Sequence, residues 1–377
     1  MVIELYIFAF VTIAYGIFTT LAVIGFNRLQ IKIVSKERHS IPIFISIVLS
    51  ARNEEKTIER CLQQLIKQDF PVTNFEIILI DDASEDSTIL LANTILEQSP
   101  ISFQLIKEPI HQGKKRNISK AISLAKGDII VTTDADVIFR FNNQLTTIAN
   151  YFEMENPEML IMPIDFETEY GLLSSFQIFE NMALTAVTAG YIGLKKPFMC
   201  NGANLAFKKT VFEKVNGYQS HHHISSGEDV FLLEDIKKLY PNGIHYLLSR
   251  ALIVKTKAQT NVTSFFNQRL RWAYKAKYNS NLLNLSAGFL IIMANLLMPA
   301  LFVAILNKSA IMPYLSIFVL SKFVFDFLLL FLASNYLGRF SYLIWMIPFQ
   351  CLYWLYALII GLCSLFIKPY WKDIKIK

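Results

Sequence analysis

The sequence predicts an α/β fold, a mostly parallel, doubly wound sheet with helices on both faces, flanked at both ends by transmembrane helices. Strand-like and helix-like patterns alternate from about residue 42 to residue 279, and the strand-like runs are continuously apolar, as in buried parallel sheets. Long apolar stretches lie on either side. Hydrophobic residues make up 53% of the 377 residues and charged residues 18%, so the two populations must be segregated along the chain.

The N-terminal stretch, residues 2–26, is long enough to cross a hydrocarbon core of about 30 Å as one helix. A cleaved signal peptide is the alternative. The length of the stretch, the acidic Glu4 at its front and the lack of a small-residue cleavage site argue against that alternative. Basic residues follow at once: Arg28, Lys32, Lys36 and Arg38. We therefore predict a transmembrane helix over residues 1–27 and a basic linker over residues 28–41, with the next domain in the cytosol.

A C-terminal membrane region is predicted over residues 284–367, because each of its apolar stretches is long enough to span a bilayer. The stretches cover residues 285–306, 311–333 and 342–367. Three crossings after a cytosolic domain would place the tail, residues 368–377, outside, whereas its lysines favour the cytosol. Either one stretch is re-entrant or interfacial, or the tail is an exception to the rule, so the number of crossings stays open.

Two charged residues lie inside one of these stretches. Lys322 and Asp326 are four positions apart, so they would share a helix face and could pair within the membrane. The spacing fits a structural ion pair or a pathway for lipid, and it favours the structural pair.

Charge, cysteine and motif content exclude several protein classes. The net charge of +6 is modest and no basic block resembles a nucleic-acid footprint, so no nucleic-acid partner is expected. The cysteines form no C-x-x-C pair, which favours reduced, buried thiols over disulfides or a zinc site. Neither G-x-G-x-x-G nor G-x-x-x-x-G-K-[ST] is present, which argues against dinucleotide enzymes and P-loop NTPases. His221-His222-His223 lacks paired ligand spacing and is interpreted as a solvated loop.

Polar residues follow several of the predicted strands. Strands are predicted at residues 43–50, 75–80, 102–106 and 128–132, and helices at residues 57–67, 87–97 and 114–125. Because the carboxyl ends of parallel strands meet at one edge of a sheet, ligands of open α/β sheets bind there. The sequence therefore predicts one crevice lined by the residues that follow the first, second and fourth strands.

Two aspartates leave the fourth strand. Asp134 and Asp136 lie two positions apart, directly after its apolar residues. Carboxylate oxygens suit Mg²⁺ or Mn²⁺, and such ions bind through one or two carboxylates plus substrate phosphates. A turn, which also favours aspartate, is the alternative. The position after an apolar strand favours the metal site.

Later segments carry candidate catalytic groups. Glu228 and Asp229 precede an amphipathic stretch. They are either helix N-terminal acids favoured by the dipole or the source of a general base for a hydroxyl that attacks an anomeric carbon. Residues 265–283 are basic and aromatic, which is typical of a helix at the membrane surface. The same segment could place Arg271 on a departing diphosphate and Trp272 beside the acceptor.

The acidic and basic clusters form an ordered series of motifs. They are Ser50-Ala51-Arg52-Asn53-Glu54-Glu55, Asp81-Asp82-Ala83-Ser84-Glu85-Asp86-Ser87-Thr88, Gly113-Lys114-Lys115-Arg116-Asn117, Asp134-Ala135-Asp136, Asn201-Gly202-Ala203-Asn204, Glu228-Asp229 and Gln268-Arg269-Leu270-Arg271-Trp272. In this order they resemble the motifs of the family-2 glycosyltransferases, the inverting group with the GT-A fold. The resemblance departs at Asn117, which stands early for the G-K-x-x-A-x-N segment. It implies a cytosolic catalytic domain over residues 42–264.

The resemblance also implies a role for each matching residue. A nucleotide-sugar donor would be bound by Ala51, Arg52, Glu54, Asp81, Asp82, Lys114 and Asp134. Mg²⁺ or Mn²⁺ would be bound by Asp134 and Asp136. The acceptor and the departing diphosphate would be contacted by Asn201, Gly202, Asn204, Gln268 and Trp272. Asp229 would be the base, and Glu228 and Arg271 would complete the catalytic group.

We therefore predict an integral membrane protein, in the plasma membrane if the source is bacterial, with glycosyltransferase activity. It would move a hexosyl or N-acetylhexosaminyl group from a nucleoside-diphosphate sugar, expected to be UDP-linked, to a lipid or lipid-linked acceptor with inversion. The resemblance extends to ceramide glucosyltransferase-like enzymes and to polysaccharide synthases, so a processive synthase of the chitin, hyaluronan or poly-N-acetylglucosamine type is the alternative. Gly227, where those synthases often have threonine, and the short membrane region argue against it.

Rival functions from other classes are a transporter or channel with a cytosolic regulatory domain and a non-catalytic nucleotide-sugar sensor. The transporter leaves the ordered acidic motifs unexplained, and the intact aspartates argue against the sensor. The identity of the sugar and acceptor, and the oligomeric state, stay open at this stage.

Overall fold

The structure, a computed structural model, describes residues 2–29, 43–219, 227–276, 281–368, 370–371 and 374–375. The chain divides into two compact units. The helical unit comprises Met1–Arg28, Thr168–Phe198 and Ala258–Lys377, and the sheet unit comprises Leu29–Glu167 and Met199–Lys257. Each unit is therefore assembled from segments that are separated in the sequence.

The sheet unit is built on a mostly parallel sheet. Its strands are β1 (Ile45–Ala51), β2 (Phe75–Asp81), β3 (Ser102–Lys107), β4 (Ile129–Thr133), β5 (Ile138–Phe139), β6 (Met159–Ile161), β7 (Ile164–Phe166), β8 (Asn204–Lys208), β9 (Ile244–Tyr246) and β10 (Val254–Thr256). Seven strands pair in the order β3-β2-β1-β4-β8-β6-β9. β8 runs antiparallel to β4 and β6, and the other pairs are parallel. A smaller sheet has the order β5-β10-β7. The predicted fold class is confirmed.

Helices join the strands of this unit. Numbered along the whole chain, they are α2 (Ile58–Ile66), α3 (Thr88–Glu97), α4 (Lys114–Leu124), α5 (Gln144–Glu155), α7 (Lys209–Lys214) and α8 (Glu228–Leu239), with 3-10 turns at Val72–Asn74 and Arg250–Leu252. The predicted elements up to β4 agree with these bounds to within about two residues, the usual uncertainty of an element's end. The strands of two or three residues were not predicted, because they are too short to show periodicity.

The central strands are buried on both faces because their side chains are apolar without interruption. Ile47, Leu49, Ile77 and Leu79 are 0% exposed, and full burial of such a side chain contributes about 1.5–3 kcal/mol. β1 has β2 on one side and β4 on the other. The chain order therefore reverses between β1 and β4, and ligands of open α/β sheets bind at such a reversal.

The helical unit contains the apolar helices. They are α1 (Val2–Arg28), α6 (Leu172–Gly193), α9 (Val262–Ala276), α10 (Leu282–Asn295), α11 (Leu297–Leu306), α12 (Met312–Leu337) and α13 (Met346–Phe366), with a 3-10 turn at Phe340–Trp345 and a hairpin of β11 (Tyr370–Trp371) and β12 (Ile374–Lys375). Within the described residues, 4 segments are long and apolar enough to cross a membrane: Val2–Arg28, Leu282–Leu306, Met312–Leu337 and Phe340–Phe366. These segments coincide with the predicted apolar stretches.

α1 and α12 run side by side in the same direction. Tyr15 bonds to Asp326 near the middle of the two helices, and the rings of Phe26 and Tyr336, 6.3 Å apart, pack near their C-terminal ends. The chain therefore returns, at the end of α12, to the side on which α1 ends. The open question of the tail's side thus depends on the last span, Phe340–Phe366, alone.

α6 belongs to the helical unit, although it lies within residues 42–264, which the sequence suggested to be one continuous domain. α6 and α1 approach closely at glycines, since a Cβ on Gly190 would lie 2.2 Å from the carbonyl oxygen of Ala22, and a Cβ on Gly25 would lie 1.9 Å from that of Gly190. Such close crossings require small residues. Polar residues such as the buried Glu180 keep the sequence of α6 from resembling a membrane-associated helix.

The predicted pairing of Lys322 with Asp326 is confirmed. Lys322 Nζ donates to Asp326 Oδ2 at 2.7 Å and to Gln350 Oε1 at 2.6 Å, and Tyr15 Oη donates to Asp326 Oδ1. All four side chains are buried. The cluster connects α1, α12 and α13 and satisfies its own charges, which supports the structural interpretation.

Replacing Lys322 with methionine is expected to lower the free energy of unfolding by about 3 kcal/mol, because it leaves a buried carboxylate without its cation. The double variant Lys322→Met/Asp326→Leu is expected to recover most of that loss, since it removes both charges. Thermal unfolding of the detergent-solubilised protein would measure both changes. A single variant as stable as the wild type would contradict the structural role.

Candidate active site

The site lies at the edge of the sheet where β1, β2 and β4 end. Ala51 pairs in register with Asp81, and the N–H of Asp82 donates to the carbonyl of Ala51 at 2.8 Å. Arg52 Nη1 donates to the carbonyl of Asp82 at 3.4 Å, and its Nη2 lies 3.9 Å from the Glu85 carboxylate. The first two motifs are thus held together as one surface.

Asp82 holds the loop that precedes α4. Its Oδ1 accepts the N–H of Gln112 at 2.7 Å, its Oδ2 accepts the N–H of Gly113 at 3.2 Å, and His111 Nδ1 lies 2.6 Å from Oδ2. The side chain is 1% exposed. Its oxygens are engaged within the fold and position the loop that leads to Lys114, and its contact with a nucleotide stays a prediction.

Asp81 has one carboxylate oxygen free. Its Oδ2 accepts the N–H of Ser84 at 3.1 Å, whereas Oδ1 is buried and has no hydrogen-bond partner among the described residues. A buried acceptor left without a donor costs about 1–3 kcal/mol. Ala83, between them, has φ +56°, which costs free energy for a residue other than glycine. A ligand N–H or O–H donor would satisfy Oδ1, which fits the role predicted for Asp81.

Lys114, the first residue of α4, joins two of the acidic motifs. Its Nζ lies 2.5 Å from Asp134 Oδ1 and 3.3 Å from Glu228 Oε1. Burial lowers the pKa of Lys114, but the carboxylates of Asp134, Glu228 and Asp229 outweigh burial and hold its pKa well above the ordinary range. Lys114 therefore carries its charge at neutral pH. The sequence placed these residues in one site, and the fold brings them into direct contact.

Asp136 lies beside Asp134 in a strongly negative environment. Thr256 Oγ1 donates to Asp136 Oδ2 at 3.3 Å, and Cys61 Sγ lies 3.7 Å from the carbonyl of Asp134. Burial, with the carboxylates of Asp134 and Glu54, raises the pKa of Asp136 to about 6. A cavity of about 460 Å³ opens beside it, lined by Asn53, Glu54, Glu55, Lys56, Thr57, Asp86, Asp136 and Lys257.

The donor set of this site fits a hard divalent cation. Asp134 and Asp136 present oxygen ligands. Burial and, after it, the carboxylates of Asp134 and Glu54 raise the pKa of Asp136, and a cation would offset the negative charge of these carboxylates. Across residues that the structure describes, no group of three or more His, Cys, Asp or Glu could hold a metal alone. That agrees with ions that complete their coordination with substrate phosphates and water.

The raised pKa of Asp136 leads to a prediction of pH dependence. Below pH 6 its carboxyl is mostly protonated and neutral, and above pH 6 it is charged. Since cation ligands must be deprotonated, the affinity for Mn²⁺ is expected to fall by about tenfold from pH 7 to pH 5. Mn²⁺ titrations at fixed ionic strength would measure this fall. A flat profile across this interval would show that Asp136 is not a ligand.

Glu228 and Asp229 begin α8, and Asp229 contacts the Asn201–Asn204 motif. Asp229 Oδ2 accepts the N–H of Gly202 at 3.0 Å and Oδ1 accepts that of Val230 at 2.9 Å. Thr132 Oγ1 donates to the carbonyl of Gly202 at 3.0 Å. Gly227, before the pair, has φ +93°, a conformation that disfavours a β-branched residue. The backbone of this chain at residue 227 therefore suits glycine better than threonine.

The side chain of Asn204 faces the interior of the sheet unit. Its Nδ2 donates to the carbonyls of Pro163 at 2.8 Å and Leu252 at 2.9 Å, and its Oδ1 accepts from Gln144 at 3.0 Å. It is 2% exposed. These contacts give Asn204 a supporting role in the fold, and its contact with the acceptor stays a prediction. Asn201, whose Oδ1 accepts the N–H of Ala203 at 3.1 Å, is exposed.

The Gln268–Trp272 motif lies on α9 in the helical unit. The buried Arg269 donates from Nε to Glu180 Oε2 at 2.6 Å and from Nη1 to Gln268 Oε1, and its guanidinium stacks 4.2 Å from the Trp272 ring. Arg271 is half-buried. The motif thus has one buried face, fixed by an ion pair that the sequence did not single out.

Two further residues of the site were not predicted. Thr256 reaches Asp136 from the end of β10, and His111 contacts Asp82 from the loop before α4. Neither stands in a pattern, because β10 is a three-residue strand and His111 lies in an irregular loop. His221-His222-His223, interpreted as a solvated loop, lies outside the described residues.

An α/β sheet with a lysine and paired carboxylates at its carboxyl edge is a domain for phosphorylated ligands that bind with a cation. Residues 46–215 match the family described as Glycosyl transferase family 2. The chain therefore carries a family 2 glycosyltransferase domain, and its sheet has the GT-A fold.

Relatives and one solved structure agree with that assignment. The Bacillus subtilis protein "Probable glycosyltransferase YdaM" is 23% identical over 62% of this chain and 55% of its own length. The "Beta-monoglucosyldiacylglycerol synthase" of Trichormus variabilis is 30% identical over 30% of this chain and 26% of its own. The mannosyltransferase PcManGT of Pyrobaculum calidifontis, solved with GDP-Man and Mn²⁺, shares 16% identity and a TM-score of 0.55, with 96% of this chain and 99% of that chain covered. This last likeness concerns the fold alone. The chain spans about half of YdaM and a quarter of the synthase.

Proposed function

We propose that this protein is a membrane-bound inverting glycosyltransferase that moves a sugar from a nucleoside-diphosphate sugar to a lipid or lipid-linked acceptor. The observation that carries the proposal is the meeting of Lys114, Asp134 and Glu228 within hydrogen-bond distance at the carboxyl edge of the sheet. Such a transfer requires groups that bind a cation, a group that binds the diphosphate and a general base. Asp134 with Asp136, Lys114, and Glu228 with Asp229 are the candidates for these roles.

On the donor side, the residues around β1, β2 and β4 bind and orient the nucleotide sugar. Asp81 Oδ1, for which the described residues provide no donor, accepts an N–H or O–H of the nucleoside. Ala51, Arg52 and Glu54 line the same surface, and Lys114 provides positive charge for the diphosphate. Asp134 and Asp136 would hold Mg²⁺ or Mn²⁺. When bound, the cation neutralises charge that develops on the leaving diphosphate.

On the acceptor side, Asp229 is the general base. The backbone N–H groups of Gly202 and Val230 fix its carboxylate, and this preorganisation holds the base ready for the proton of the attacking hydroxyl. Attack from the face opposite the diphosphate inverts the anomeric carbon. Glu228 adjoins the base, and Asn201 borders the acceptor.

In the Gln268–Trp272 motif, Arg271 is assigned to the departing diphosphate, and Gln268 and Trp272 to the acceptor, on the strength of the family resemblance.

A lipid acceptor is supported by the apolar helices. Segments long enough to cross a membrane occur at both ends of the chain, so the domain is tied to a bilayer. The relative named as a β-monoglucosyldiacylglycerol synthase points to the same acceptor class. The basic residues that follow α1 in the sequence support a cytosolic side for the sheet unit and its site, where nucleotide sugars are the donors.

A donor screen tests the proposal. Purified protein with total membrane lipid would be given UDP-linked glucose, galactose, N-acetylglucosamine and glucuronic acid, and GDP-mannose, the donor bound by PcManGT. We expect nucleotide release with a UDP sugar that depends on added lipid, and a product one sugar heavier than a lipid in mass spectrometry. Release from none of these donors, by protein that is folded, would refute the proposal.

Product size separates single transfer from the alternative, a processive polysaccharide synthase. A single mass increment supports the glycolipid product, and a ladder of increments supports a polymer. Gly227, where the polymer synthases often have threonine, favours single transfer. Ion or solute flux in proteoliposomes without any sugar transfer would instead support a transporter.

A further inference from the structure

Lys114 occupies the carboxylate oxygen that the proposed function assigns to a divalent cation. Its Nζ is 2.5 Å from Asp134 Oδ1, and its side chain is 24% exposed. The same ammonium group lies 3.3 Å from Glu228 Oε1. Partial burial strengthens the interaction relative to an exposed pair, because water screens it less.

An ammonium group and a divalent cation on the same carboxylate repel each other. Mg²⁺ takes its ligands at about 2.1 Å, which would bring two positive charges within a few ångströms of one another. Asp136, the second proposed ligand, accepts a hydrogen bond from Thr256 at 3.3 Å, and within the described part of the chain no ammonium or guanidinium group forms an ion pair with it. Contact between Lys114 and Asp134 therefore weakens the binding of a metal ion by the two aspartates, and binding is stronger once Lys114 leaves.

We propose that Lys114 is a place-holder for the divalent cation on Asp134, which competes with that cation until the diphosphate of the donor draws the lysine away. The proposal rests on the proposed function, since it takes Asp134 as a cation ligand. It makes Lys114 a positioning residue that couples the binding of cation and donor. Departure of Lys114 also removes its ion pair with Glu228, which lies next to the proposed base.

The competition has a consequence that distinguishes it from simple binding of diphosphate. A lysine that only contacts diphosphate has no effect on Mn²⁺ in the absence of nucleotide. A lysine that blocks Asp134 weakens Mn²⁺ binding to the free protein, so its removal must strengthen that binding. Couplings between sites commonly amount to about 5- to 150-fold in affinity.

The test is a titration of the full-length, detergent-solubilised protein with Mn²⁺ alone, with free Mn²⁺ followed by electron paramagnetic resonance. Lys114→Met is expected to bind Mn²⁺ about tenfold more tightly than the wild type. Lys114→Gln should show the same gain, and it keeps the question answerable if the methionine variant does not fold. Lys114→Arg, which retains the positive charge, should bind no more tightly than the wild type.

A matched control lies on the same helix. Lys120 Nζ pairs with Glu108 Oε1 at 2.6 Å, away from the aspartates, so Lys120→Met should leave the Mn²⁺ affinity unchanged. In an Asp134→Asn background, Lys114→Met should give no gain, because the oxygen for which the lysine competes has changed.

Unchanged or weaker Mn²⁺ binding by both neutral variants would overturn the proposal. A tenfold gain that persists in the Asp134→Asn background would also overturn it, because the effect would then be one of overall charge. No sugar donor is present in these titrations. A protein that failed the donor screen could therefore still show the competition, and an active transferase could lack it.

Discussion

Replacing Asp229 with asparagine is expected to lower the rate of sugar transfer by about 10²- to 10⁴-fold and to leave donor binding unchanged. Asparagine cannot take a proton from the acceptor hydroxyl. It does keep an oxygen that can accept the N–H of Gly202, the contact seen at 3.0 Å in the wild type, so the surrounding backbone should stay in place. Nucleotide release at saturating acceptor would measure the rate, and calorimetry would measure donor affinity.

Asp235→Asn is the matched control for this change. Asp235 lies on the same helix, and its Oδ1 pairs with Lys238 at 2.7 Å. Lys238 is exposed, and Asp235 has no role in the proposed reaction, so near-normal transfer is expected. If Asp229→Asn itself retained near-normal transfer with intact donor binding, the base would have to be another group. Glu228→Gln would then be the variant to examine.

Replacing Asp136 with asparagine is expected to lower transfer by about 10²-fold or more, because charge on the leaving diphosphate would lose part of its stabilisation. The neutral side chain should also bind Mn²⁺ more weakly, in the same direction as protonation of Asp136 below pH 6. Exhaustive chelation of the wild type should abolish transfer, and added Mn²⁺ or Mg²⁺ should restore it.

A control for this variant comes from the opposite end of β4. Asp128 is exposed, just before the strand begins, and Asp128→Asn should leave both transfer and Mn²⁺ affinity unchanged. Sugar transfer that continued at the wild-type rate after complete removal of divalent cations would rule out a cation in the reaction, whatever the behaviour of the variants.

Much of the sheet could be predicted because its first strands are apolar without interruption and end at polar motifs. The order of those motifs also placed Lys114, Asp134 and Glu228 in one site, and the structure brings them within 2.5–3.3 Å. Parallel topology accounts for this success, since it brings the carboxyl ends of distant strands to one edge.

The roles within the site were less predictable, because they depend on contacts between residues far apart in the chain. Asp82 has the same chemistry as Asp81, yet one is engaged by the loop at Gln112 and the other keeps a free oxygen. Asn204 has a polar side chain that could contact a substrate, and in the structure this side chain donates to the buried carbonyl of Pro163. No local pattern distinguishes a buried carboxylate or amide that supports a loop from one that contacts a ligand.

The interleaving of the two units limits how the protein can be shortened. A fragment from residue 43 to residue 257 would keep every strand of the large sheet but would also keep α6, without the helices α1 and α12 on which it packs. Its close-packed surface around Gly190 would then face water. Biosynthesis meets the same constraint, because α6 leaves the ribosome well before α12 is made. Until α12 has been synthesised, α1 is the one of these two helices on which α6 can pack.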